Sequence, residues 1–241
     1  MKQNIKLIES VQVAESTIAF YWEKPEGFSF VAGQFGDYTL INPPETDAEG
    51  NTRGFSFIVS PDENRLGFAS RMRDTAFKRV LKTLKSGDEI IMDAPYGDLK
   101  LHNNVSRAAV FLTGGIGITP VHSIILDATH RKLPHKIFLF YSNRHPEDAA
   151  FLAELSELQK QNPNYKLVAT MTQMDKSKTA WAGETGYVDE EMLKRYLVNA
   201  QNPIYYLTGP GRMVSAMRKL LNSLGVNDDD IKTEEFTGYP T

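Results

Sequence analysis

Residues 108–120 read AAVFLTGGIGITP, and the stretch HSIILDATHRK follows at 122–132. A six-residue apolar run bounded by glycines reads as a buried strand, and the longer apolar-periodic stretch after it reads as a helix. The joint between them holds Gly114, Gly115 and Gly117, which remove side chains where a pyrophosphate must approach backbone. Thr119 and Pro120 suit a helix start, whose free N–H groups and dipole attract anions. The joint is therefore a candidate nucleotide-binding turn. It is not the GxGxxG fingerprint, because Pro120 stands where the third glycine would be, and it is not a P-loop, because the following lysine is missing.

Downstream the same rhythm repeats: IFLFYS, PEDAAFLAELSELQK, YKLVATM, DEEMLKRYL, IYYLT, RMVSAMRKLLNSL and IKTEEF. Strands alternating with helices predict a parallel sheet covered on both faces. A second strand ends in TGPGRM, residues 208–213, placing Gly209 and Pro210 in a turn of the same kind. Ligands in such sheets sit beyond the carboxyl ends of the strands, so both turns belong to one edge. A third strand ends in YSNR, where Ser142, Asn143 and Arg144 could meet an adenosine ribose or its 2′-phosphate; an arginine suits phosphate by charge and fork geometry. On that ground NADPH is the expected coenzyme, with NADH the other possibility.

Upstream the pattern differs. NIKLIESVQVA, STIAFYWE, FGDYTLI, RGFSFIVS, RLGFASRM and DEIIMDA are short strands separated by turn signals such as NPPE, SPDEN and SGDE, as in an antiparallel barrel. Only Asp74 to Leu84 looks helical there, with Phe77, Val80, Leu81 and Leu84 at i, i+3, i+4 and i+7. The expected architecture is thus β followed by α/β: an antiparallel barrel domain over residues 1–103 and a parallel-sheet nucleotide-binding domain over 104–241.

Composition narrows the chemistry. The chain has 241 residues, 41% hydrophobic and 24% charged, with no apolar run near the roughly 20 residues that span a bilayer. The opening MKQNIKLIES lacks the apolar core of a signal peptide, so a cytoplasmic protein is expected. There is no cysteine, which leaves the chain no disulfide, no thiolate-bound zinc and no cysteine-held iron–sulfur cluster. No metal site is expected. A net charge of −3 gives no general case for nucleic acid. One local exception is RMRDTAFKRVLKTLK, residues 71–85, where six basic residues face a single Asp74; Lys78, Lys82 and Lys85 fall on one helical face and form a candidate docking surface for an acidic partner.

RGFSFIVS, residues 53–60, puts Arg53, Phe55, Phe57 and Val59 on one face of a strand and Gly54, Ser56, Ile58 and Ser60 on the other. Together with AGQF at 32–35, RDTAFKR at 73–79, GDEIIMDAPYG at 87–97, GGIGITP at 114–120, TGPGRM at 208–213 and EEF at 234–236, it resembles the ferredoxin-NADP reductase family of flavoenzymes. These segments keep the family's order and span nearly the whole chain. The resemblance implies an FAD-dependent NAD(P)H oxidoreductase that passes hydride from nicotinamide to FAD, then electrons to an acidic carrier such as ferredoxin or flavodoxin. It implies that Arg53 contacts the flavin pyrophosphate, that Phe55 stacks on the isoalloxazine, and that Ser56 hydrogen-bonds near the reacting nitrogen. Thr75, at the head of the helix, matches a further pyrophosphate contact, with Arg71 or Arg73 adding charge. Thr208 replaces a cysteine that many relatives place beside the nicotinamide. Glu234 matches a carboxylate near the reacting centre, and Phe236, or Tyr239 beyond it, matches an aromatic that covers the flavin. The catalytic candidates are thus Ser56, Thr208 and Glu234. A free-standing flavin or ferric-chelate reductase, and a flavin-binding electron-transfer subunit of a larger complex, are the alternatives.

Overall fold

The computed structural model describes residues 2–236, so Gly238 and Tyr239 of the expected covering tail lie outside the described residues. The first half is a six-stranded antiparallel sheet with strand order β4-β3-β6-β1-β2-β5. Its strands are β1 (Lys2–Ala14), β2 (Thr17–Glu23), β3 (Phe35–Leu40), β4 (Thr52–Ser56), β5 (Arg65–Arg71) and β6 (Glu89–Tyr96). Between β5 and β6 lies one helix, α1 (Ala76–Thr83). Phe20, Trp22, Tyr38, Phe57 and Phe68 fill the interior, none of them more than 1% exposed. Burying so many aromatic rings in one small core supplies the main drive for this half to close.

RGFSFIVS does not continue as one alternating strand. β4 stops at Ser56, and Phe57, Ile58 and Val59 are all buried. The chain leaves the edge there and crosses toward β5: Phe57 N–H bonds Gln34 O at 3.0 Å and Ile58 N–H bonds Gly67 O at 2.9 Å. Those bonds draw the two edges of the sheet together, and a helix of the second half covers the crossing residues. With neighbours on every side, alternation no longer separates core from solvent.

The second half is a six-stranded parallel sheet, order β10-β9-β8-β7-β11-β12. It comprises β7 (Ala109–Gly114), β8 (Ile137–Asn143), β9 (Tyr165–Met171), β10 (Glu184–Thr185), β11 (Ile204–Gly209) and β12 (Ile231–Glu235). Helices α2 (Ile118–His130) and α3 (Leu152–Gln161) pack into the core shared with the first half, while α4 (Glu190–Tyr196) and α5 (Gly211–Ser223) bury the other face. The two-residue β10 has no signal in the sequence pattern. Strand order runs from β7 outward through β8 and β9 but reverses to β11 and β12, so the switch point lies between β7 and β11, where both glycine turns emerge. Among the described residues no helix is long and apolar enough to cross a membrane.

Candidate functional site

The two glycine turns meet at the switch point. A Cβ on Gly117 would lie 2.6 Å from Gly209 Cα and backbone nitrogen, so glycine at 117 lets the turn after β7 pass against the turn after β11. Gly115 answers a different need: its φ is +54°, the left-handed region, and nothing lies within 4 Å of its Cβ position. The turn begins as a 3-10 segment over Gly115–Gly117, and α2 opens at Ile118, one residue before the expected Thr119. Thr119 is buried and its Oγ1 bonds Ile116 O at 3.0 Å.

Beyond these turns lies a cleft of about 500 Å3 bordered by Gly114, Gly115, Ser142, Asn143, Arg144 and Pro210, the residues expected at a nucleotide. Asn143 is buried there with neither side-chain polar atom at hydrogen-bonding geometry to a partner. Arg144 Nε donates to Asp148 Oδ2 at 2.9 Å and its side chain is 54% exposed. Arg71 borders this cleft too, 3.9 Å from Asp148, and so lies apart from Arg73, which borders a different cleft. Tyr187, 76% exposed, and Arg212 also border the cleft; neither follows from the sequence pattern, since no periodicity marks a surface position.

A second cleft, of about 850 Å3, opens between the first sheet and β12, bordered by Arg53, Phe55, Ser56, Leu99, Glu234 and Phe236. Phe55 stacks on Phe68, centroids 4.4 Å apart and planes 5° apart, yet is only partly buried, so one ring face is packed and some surface remains toward the cleft. In the register of β11 with β12, Thr208 lies opposite Glu234. Thr208 itself is fully buried and its hydroxyl bonds the Thr113 hydroxyl, so it flanks the site through the sheet rather than from the cleft. Burial pushes the Glu234 carboxyl up to about 7, against a smaller opposing pull from Ser56. Ser56 Oγ is buried with no partner at hydrogen-bonding geometry, so that pull acts at longer reach. Ser56, Glu234, Phe55 and Phe236 thus border one cleft.

A narrower extension of about 160 Å3 is bordered by Glu49, Arg53, Arg73, Thr75, Lys78 and Thr119. Thr75 is the N-cap of α1, its Oγ1 accepting from Lys78 N–H. Arg53 is engaged by its own neighbourhood: its guanidinium donates to Glu49 O at 2.9 Å, Gly50 O at 3.1 Å and Thr52 O at 2.8 Å, and lies over the Phe77 ring at 5.2 Å. Lys78 corrects the docking-face expectation. It is buried, its Nζ donates to Arg71 O at 2.7 Å, and desolvation together with Arg73, Arg53 and Arg71 pulls its ammonium down to about 8. Its long stem lies under the helix rather than beside Lys82, a distinction invisible to helical spacing. These cations and the α1 N-terminus form a donor set that suits phosphate, and the half-packed ring with the buried hydroxyl suits a flat heterocycle.

Residues 111–219 match the family described as the oxidoreductase NAD-binding domain. One subunit of the Na(+)-translocating NADH-quinone reductase of Pseudoalteromonas atlantica is 29% identical over 226 residues, covering 90% of this chain and 53% of that protein. Its counterpart from Methylococcus capsulatus is 31% identical over 159 residues, 64% of this chain and 39% of that protein. The chain thus spans about half the length, or less, of these curated relatives. Among solved structures, the FAD/NAD-binding domain of nitric oxide dioxygenase from Vibrio cholerae superposes with a TM-score of 0.82 at 17% identity, covering 97% of this chain and 98% of that one. A ferredoxin NADP+ reductase from Neisseria gonorrhoeae, with bound FAD and NADP, gives 0.79 at 20% identity, with the same two coverages. With its antiparallel sheet, parallel sheet and paired glycine turns in this arrangement, the chain has the ferredoxin-NADP reductase-like fold, and its residues 111–219 match the oxidoreductase NAD-binding domain family.

Proposed function

We propose that the chain is an FAD-dependent NAD(P)H oxidoreductase that takes a hydride from the nicotinamide and passes electrons on to a carrier protein. The observation that carries this reading is the convergence of Phe55, Ser56, Glu234 and Phe236 in one cleft beside the switch point. Bound flavin would supply the two-electron to one-electron conversion. Phe55 would hold the ring, Ser56 would offer its unpartnered hydroxyl, and Arg53, Arg73, Thr75 and Lys78 would hold phosphate. Gly114, Gly115, Ser142, Arg144 and Pro210 would receive the coenzyme. Glu234 would hold a proton next to Ser56 up to about pH 7. Phe236 would limit water access to the same cleft. The flavin-binding part would comprise residues 1–103 and the nucleotide-binding part 104–241.

Support for an acidic carrier such as ferredoxin or flavodoxin now rests on Lys82 and Lys85, because Lys78 is buried and Arg79 pairs with Glu45 and Asp74. The relatives favour a second reading, an electron-transfer subunit of a larger complex, since the chain matches about half of a protein named as a subunit. The cytoplasmic reading belongs with the free carrier and gives way to a membrane-associated location under the second. The test is anaerobic addition of NADH and NADPH to the purified protein, followed by an acceptor screen. Bleaching of a yellow spectrum supports the proposal; a protein that binds no flavin and oxidises neither coenzyme overturns it. Reduction of quinone only within an assembled complex would decide for the subunit.

A further inference from the structure

The connection between β3 and β4 carries PPETDAEG, residues 43–50, and lays three carboxylates on the basic end of α1. Glu45 grips Arg79 with both oxygens, Nε to Oε1 at 2.9 Å and Nη2 to Oε2 at 2.5 Å. Asp47 Oδ2 accepts from the backbone N–H of Ala76, the first residue of α1, at 3.1 Å. Its Oδ1 accepts from Arg53 Nη2 at 3.2 Å and from Glu49 N–H at 3.0 Å. The Glu49 carboxylate lies 3.0 Å from the same Arg53 nitrogen. Desolvation works against charge on Asp47, but the N–H groups of Glu49 and Ala76, with Arg53, win and hold its carboxyl below the usual range. A guanidinium and a helix N-terminus are what recognise a phosphate, and here one carboxylate spans both.

We propose that Asp47, seated by Glu45 and Glu49, is an internal anion that competes with a flavin's phosphate for Arg53 and the α1 N-terminus. It therefore sets the affinity of the cleft for phosphorylated flavins. The proposal rests on the flavin reading of that cleft. A phosphate can take these donors only as Asp47 gives them up, so binding gains the difference between two anion interactions rather than the whole of one. Riboflavin, which has no phosphate, does not contest them. Flavin at this site is consequently exchangeable, and the loop residue, not the ring pocket, tunes how readily it leaves.

The test titrates the full-length apoprotein with FAD, FMN and riboflavin, following ligand fluorescence, for wild type, Asp47→Asn and Asp47→Ala. In Asp47→Asn, binding of FAD and FMN should tighten about tenfold, the scale of one lost charge-assisted contact, while riboflavin binding stays put. The apoprotein should melt lower, because the cap on α1 and a partner of Arg53 are weakened. A loop that served only as scaffold would lower both stability and affinity. Asp47→Ala repeats the reading in case the asparagine amide keeps the Ala76 contact. Unchanged or weaker FAD and FMN binding in both variants overturns the competition, and so does an equal gain for riboflavin. Failure of the wild-type protein to bind any of the three flavins overturns the flavin reading itself and the competition with it.

Discussion

Glu234 takes its chemistry from burial: an ordinary carboxyl titrates near 4.5, and this one is pushed up to about 7. The fold therefore favours the neutral acid, so its contribution to stability is complete below about pH 4.5 and is lost as pH rises through about 7. Glu234→Gln should flatten the melting temperature against pH across that window. If Glu234 supplies a proton at the site, the same change should slow anaerobic flavin reduction at pH 6 by roughly 10²-fold and remove an inflection near 7 from the rate profile. An inflection that survives in the variant belongs to another group. Arg144 poses a separate question, since Asp148 already holds its Nε. If its exposed fork still meets a 2′-phosphate, Arg144→Ala should raise KM for NADPH roughly tenfold or more, the scale of a charged hydrogen bond, with little change for NADH. Equal shifts for both coenzymes would assign Arg144 to the solvated surface.

The glycine turns show how one sequence signal hides two physical causes. At 117 an added methyl meets the backbone of Gly209 at 2.6 Å, which no rotamer change relieves. Gly117→Ala should cost roughly 1–3 kcal/mol and push the turns after β7 and β11 apart. At 115 only the left-handed backbone opposes a side chain, so Gly115→Ala should cost about 1 kcal/mol. Thermal melts of the two variants check the order, and equal losses would discard the argument. Strand and helix order was legible because burial on one face leaves a period, 2 for β3 and 3.6 for α1. It failed where neighbours close in on all sides, as at Phe57 to Val59, and where a long stem buries a charge, as at Lys78. The cleft around Ser56 and Glu234 was legible only through the resemblance, because residues 56 and 234 are brought together by the packing of two sheets and share no local pattern. The carboxylates of the 43–50 connection left no trace beyond turn composition.

At the scale of the whole molecule, hydride transfer would need the first sheet and the nucleotide edge held at fixed separation, and α2 carries the fastening. His122, buried in that helix, places Nδ1 2.6 Å from Ile58 O and Nε2 3.1 Å from Glu154 Oε2, and its ring stacks on Phe151 at 4.2 Å. Next to it Ser123 Oγ donates to Val59 O at 2.6 Å. Both carbonyls belong to the segment two and three residues past Ser56, so the helix that opens at the glycine turn after β7 also pins the segment that follows the Ser56 hydroxyl. The His122 hydrogen bond in turn holds the Glu154 carboxyl below its usual range, against desolvation and with help from Arg65 on β5 and His130 at the end of α2. A depressed carboxyl stabilises above its ordinary value and loses that contribution as pH falls through the lowered one, so the Glu154 contribution should weaken in acid. His122→Leu leaves the Ile58 carbonyl unpaired inside the shared core, a cost of about 1–3 kcal/mol. The melting temperature should then fall by several degrees, at roughly 2–4 °C per kcal/mol for a chain of this size. If the residue positions the two halves rather than merely filling space, flavin reduction should slow by more than coenzyme affinity changes, whereas His122→Gln, which keeps a donor for Ile58, should restore most of the rate. A His122→Leu protein that melts lower but reduces its flavin at the wild-type rate would show that α2 fastens the core without setting the distance across it.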